Sequence, residues 1–162
     1  MSSSHPNKKL NKKLDNPILG YLTSIRSGEA IVSRRIKLAY ENLEKIILDG
    51  SIRWAYDEDK ANHAINFIER YCRHSKGRWG GKPLILELWQ RALIAGMFGF
   101  IDIDTEMRKH TKTLLIVGRK NGKSTLSAAV GLYLQIADGE SGPEIYAVAT
   151  KKDQSKIIWL EA

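Results

Sequence analysis

Residues 118–125 read Gly-Arg-Lys-Asn-Gly-Lys-Ser-Thr, and their types suit phosphate chemistry. A glycine-rich turn that runs straight into a helix presents backbone N–H groups to an anion. Gly122 lets the backbone come close, Lys123 has the reach for the β- and γ-phosphates of a nucleotide, and Ser124 has a hydroxyl for Mg²⁺. The usual spacing for such a loop is Gly, four free positions, Gly-Lys, then Ser or Thr. Here Val117 stands at the first-glycine position and Gly118 comes one place late. "KNGK" is also a good plain turn. An apolar run before it, a helical stretch after it, and Ser124-Thr125 directly behind the lysine favour nucleotide binding over that plainer reading.

Other groupings carry less. Cys72 and His74 lie close, but two ligands do not make a zinc site, and His63 is nine residues from Cys72. Cys72 is expected in the core and His74 at the surface. Trp54, Trp79 and Trp89 are expected to pack rather than to stack on bases. A hydrolytic site needs a carboxylate for Mg²⁺, normally at the end of a further apolar strand. "IIWLEA", ending in Glu161, has that look but overlaps a helical pattern and is read as chance.

The elements that must position the loop follow from periodicity. Residues 1–17 are polar and rich in Lys, Asn and Ser, and predict a flexible basic arm ending at Pro17. Ile36, Tyr40, Leu43, Ile46 and Ile47 recur at helical spacing over 33–49, with Gly50 as the stop. Asp57 is placed to cap a second helix, whose stripe is Ala61, Ala64, Ile65, Ile68, Tyr71 and Cys72. "HSKGRWGGKP" breaks the pattern, and a third helix covers about 86–97, ending at "GMFGF", where the glycines are expected to loosen the backbone. Beyond it, Thr113–Val117 and 143–150 read as buried strands, 123–138 as a helix, and 151–162 as the start of another.

Strand, turn, helix, strand, helix is the opening of an α/β fold with a P-loop NTPase-type parallel sheet, here incomplete and preceded by an α-helical N-terminal region. The expected divisions are an arm (1–17), a helical region (18–112) and the start of an ATPase core (113–162). The 26 Lys and Arg against 18 Asp and Glu give a net charge of +8, which favours polyanions. No run of 18 apolar residues occurs, so no membrane partner is expected.

"RKNGKST", with Arg119 four residues before Lys123, resembles the deviant phosphate loop of tailed-phage terminase large subunits. "LELWQRALIAGMFGF" resembles the family's upstream Trp-Gln segment, and "DGESGPEIYAVATKKDQSKIIWLEA" its second strand and following helix. The likeness spans about residues 57–162. It implies ATP and Mg²⁺ as cofactors and a motor that moves double-stranded DNA into proheads. It also implies the small terminase subunit and portal protein as partners, possible oligomer formation in that motor, and the bacterial host's cytoplasm as location. The implied nucleotide contacts are Gln90 at the adenine, then Gly118, Asn121, Gly122, Lys123, Ser124 and Thr125. Arg119 would meet the γ-phosphate beside Lys123, Ser124 would hold Mg²⁺, and Gln154 would have a minor coupling role. The acidic strand and the nuclease domain of that family are expected beyond Ala162, so the chain is expected to hydrolyse little ATP by itself. The rival expectations are another P-loop ATPase, helicase-like, or a non-enzymatic DNA-binding adaptor with a relic loop.

Overall fold

Pro17 has no N–H to lose and a backbone angle already set for a helix, so it suits a helix's first position. The computed structural model, which describes residues 16–149 together with Lys156 and Leu160, uses it that way. Helix α1 (Pro17–Ser27) starts on Asn16, whose side chain accepts from the Ile18 and Leu19 N–H groups at 3.0 and 3.3 Å. Pro17 therefore opens a helix rather than closing an arm, and this helix was not foreseen. Residues 1–15 of the expected arm lie outside the described residues.

Helix α2 (Arg34–Asp49) starts on Ser33, whose hydroxyl accepts from Ile36 N–H. Strand β1 (Trp54–Tyr56) leads to helix α3 (Glu58–Tyr71), where the Asp57 carboxylate accepts from Lys60 N–H at 2.9 Å. A single 3₁₀ turn (Gly77–Trp79) interrupts the next loop. Helix α4 (Leu88–Phe98) and strand β2 (Phe100–Asp102) follow, and the last named element is helix α5 (Lys123–Ile136). Serine, aspartate and helical periodicity located α2 to α5 within a few residues.

The chain divides into two units: Met1–Asn62 with Leu86–Thr113, and His63–Ile85 with Leu114–Ala162. In the first, α1 packs on α4 and α2. Ile18, Leu22, Ile94 and Phe100 are fully buried there, each contributing about 1.5–3 kcal/mol by leaving water. β1 and β2 pair antiparallel, with Trp54 opposite Asp102 and Tyr56 opposite Phe100. The Asp102 carboxylate accepts from Arg53 Nε at 2.7 Å and from the N–H groups of Asp104 and Thr105. The Arg53 guanidinium, foremost, holds that carboxyl below the usual range. Burial pushes the Tyr56 hydroxyl up to about 12.

Gly99 is needed for closeness, not looseness. A Cβ there would lie 2.7 Å from Tyr56 Cε2, 2.8 Å from Ala95 O and 2.9 Å from Ala61 Cβ. That corrects the expectation for "GMFGF": the glycine lets α4, β1 and the start of α3 meet.

In the second unit Ala64, Ile65 and Ile68 of α3 are buried, as are Leu126, Ala128, Ala129 and Tyr133 of α5. Tyr133 meets His63 Nδ1 through its hydroxyl at 3.2 Å and the Phe67 ring at 5.6 Å between centroids. Ile145 passes beside Gly131 of α5.

The two expected core strands, Thr113–Val117 and 143–150, join no ladder among the described residues, where the one sheet is the β1–β2 pair. The architecture is mixed α/β without a parallel pairing among those residues. Exposure alternates along both segments in the way of a strand. Leu114, Ile116, Tyr146 and Val148 are 84, 82, 77 and 90% exposed, while Leu115, Val117, Ile145 and Ala147 are half-buried. The amino-acid pattern gives each segment one inner face, but a ladder needs a neighbour at hydrogen-bonding distance. Residue 150 of the second segment lies outside the described residues. Lys156 and Leu160 are helical, as expected, whereas Asp153, Gln154 and Glu161 lie outside the described residues.

Candidate phosphate-binding site

Between Val117 and α5 the backbone makes a turn over Arg119–Lys120 and enters the helix at Lys123. Two residues take the left-handed conformation, Lys120 at φ 67° and Gly122 at φ 67°. Glycine adopts that conformation without penalty, whereas a lysine there is uncommon. Asn121 holds the turn shut. Its amide nitrogen donates to Gly118 O at 3.2 Å and to Arg119 O at 3.4 Å. A Cβ on Gly118 would press on that same nitrogen at 3.3 Å.

Gly122 occupies the cap position of α5 and has no side chain to offer its first-turn amides. A helix start of this kind, with its dipole, favours a nearby anion. Lys123 and Arg119 are exposed, and Ser124 and Thr125 are half-buried on the first turn. A triphosphate placed here would meet a helix start with no side-chain cap, the exposed Lys123 and Arg119, and the Ser124 hydroxyl, a group of the kind that can share Mg²⁺. Bound Mg²⁺ would draw charge from the phosphate oxygens and so ease departure of the leaving phosphate.

Thr125 lines a cavity of about 370 Å³ with Ala129, Leu132 and Leu160, against the Tyr71–Ser75 segment and Leu84. Expected core Cys72 is buried there, and burial raises its thiol pKa. His74, expected at the surface, is half-buried in the cavity wall. No sequence signal marked this hollow, because its wall joins residues some fifty positions apart.

Gln90 belongs to the first unit. It is 8% exposed, third in α4, and its Oε1 accepts from Glu87 N–H at 2.9 Å in a capping box. Gln90 therefore has a structural role at the start of α4 whatever else it does. No helix among the described residues is long and apolar enough to cross a membrane.

Residues 88–162, just under half of the chain, match the family model of the terminase large subunit, ATPase domain. No curated protein and no solved structure matches the chain. The match begins at Leu88 and takes in α4, the turn and α5. Over residues 88–162 the chain is thus similar to the ATPase domain of terminase large subunits.

Proposed function

We propose that this chain carries the ATP-binding part of a terminase large subunit, in which ATP hydrolysis drives double-stranded DNA into proheads. The observation that carries the reading is the uncapped start of α5 behind a turn clamped by Asn121, inside the family-matched segment. In this reading the α5 amides and Lys123 hold the β- and γ-phosphates, and Ser124 takes Mg²⁺. Arg119 lies against the γ-phosphate, where a cation stabilises charge that grows during phosphoryl transfer. Gly118 and Gly122 shape the loop, and Thr125 turns toward the cavity, whose size suits the nucleoside end. The DNA, the portal and small-subunit partners, the parallel P-loop sheet and the host cytoplasm all belong to this same reading.

Thermal unfolding with and without Mg²⁺-ATP tests it. A ligand that binds the folded state alone at a hundred times its Kd stabilises by about 2.7 kcal/mol, a readable rise in Tm. Lys123→Ala is expected to abolish the rise. An equal rise in the variant removes the phosphate-loop assignment.

A further inference from the structure

From Arg70 to Leu86 the chain has five cations (Arg70, Arg73, Lys76, Arg78 and Lys82) and no carboxylate. Arg70 ends helix α3, and the other four lie on a ribbon that its own backbone bonds tie together. Leu84 N–H donates to Cys72 O at 3.0 Å, and His74 N–H donates to Lys82 O at 3.0 Å. Gly81 N–H donates to His74 O at 2.8 Å, Lys82 N–H to Trp79 O at 2.9 Å, and Arg73 bridges to Pro83. All five cations are exposed.

Four of the side chains are also braced. The Arg78 guanidinium lies 5.0 Å from the centre of the Trp79 ring, and Lys82 Nζ lies 4.7 Å from it. Arg70 lies over Tyr71, and Arg73 Nη1 donates to Arg70 O and Cys72 O. Such contacts hold charge in place and reduce the entropy lost when a partner binds.

We propose that this ribbon is a contact surface for the phosphate backbone of double-stranded nucleic acid. Five exposed cations within seventeen residues that hold no carboxylate form a positive segment suited to phosphates. Trp79, half exposed, has two cations over its ring, so it supports charge instead of offering a clear platform to an unstacked base. That favours a duplex over a single strand. The proposal uses none of the phosphate-loop residues and stands whether or not that loop binds ATP.

The test is anisotropy of a labelled mixed-sequence duplex with the full chain over a potassium chloride series. Each lost phosphate contact lowers the slope of log K against log salt by about 0.9. The double variant Arg78→Ala/Lys82→Ala is expected to lower it by about two. Arg34→Ala/Arg35→Ala removes as much charge from α2 and is expected to leave the slope nearly as it was. Lys123→Ala is likewise expected to leave it. An unchanged slope in the ribbon variant overturns the proposal, as does an equal fall in both double variants. Tighter binding of a single strand, or of poly-glutamate that the duplex fails to displace, overturns it too; the latter would point to an acidic protein partner. Should the double variant unfold, Lys82→Glu alone replaces it and must weaken duplex binding.

Discussion

Of the five α-helices named among the described residues, four begin on a side chain that returns to the backbone, and the fifth begins on glycine. Asn16, Ser33 and Asp57 each accept from first-turn amides, and Gln90 closes α4 against Glu87. At α5 the corresponding groups are left without a side-chain acceptor. A protein that needs only stability fills such a position, because a cap contributes about 1 kcal/mol. Leaving it bare gives up that contribution where an outside anion can replace it. Among the described residues, the turn before α5 is also the one place where a non-glycine in the left-handed region precedes a helix start. Such outliers concentrate at binding sites.

The contrast has consequences that differ in kind between the two sorts of helix start. The largest is expected at α5 itself. Gly122→Asp places a carboxylate where a phosphate would sit, in a left-handed conformation that aspartate tolerates. Mg²⁺-ATP affinity should fall about a hundredfold, or ~2.7 kcal/mol, since like charges brought together cost several kcal/mol. Calorimetric titration reads this, and retained affinity would mean that the open amides face no ligand.

The next effect should run the other way. Asn16→Ala removes a buried cap that serves two amides. It should cost about 1–2 kcal/mol of unfolding free energy. The unfolding temperature should drop by roughly 2–4 °C per kcal/mol, with nucleotide affinity unmoved. A loss of affinity there would blur the distinction between structural and ligand-facing starts.

The smallest effect concerns acid. Asp102 closes its own turn and pairs with Arg53, and its carboxyl pKa is depressed in the folded state. A depressed carboxyl stabilises the fold above its unfolded value of about 4, and that stabilisation disappears as pH falls through the folded value. Denaturant midpoints should therefore decline below about pH 4 in the parent, and less steeply in Asp102→Asn. The α5 turn is clamped by a neutral amide and should add nothing to that slope.

How legible all this was depended on the range of the interactions. Helices α2 to α5 were readable because caps and periodicity are local. Helix α1 was missed, since its apolar stripe follows a basic polar stretch and contains Gly20. Strands β1 and β2 have three residues each, too few for alternation to register, and their pairing joins residues nearly fifty positions apart. Residues 113–117 and 143–149 have strand composition and strand-like alternation, yet pairing is a property of neighbours that composition does not encode. At the candidate site, Lys123, Ser124 and Gly122 were singled out by their spacing. The Asn121 clamp, the left-handed Lys120 and the cavity beside Thr125 did not, because each depends on backbone angles or on distant segments meeting.

Cys72 is the chain's single cysteine, and it sits in the wall of the cavity that Thr125 also lines. Because burial keeps its sulfur protonated, alkylating reagents should react slowly, and anything seated in the hollow should shield it further. The molecule therefore comes with a built-in chemical reporter: its labelling rate tracks occupancy of that hollow with no dye attached and no residue exchanged.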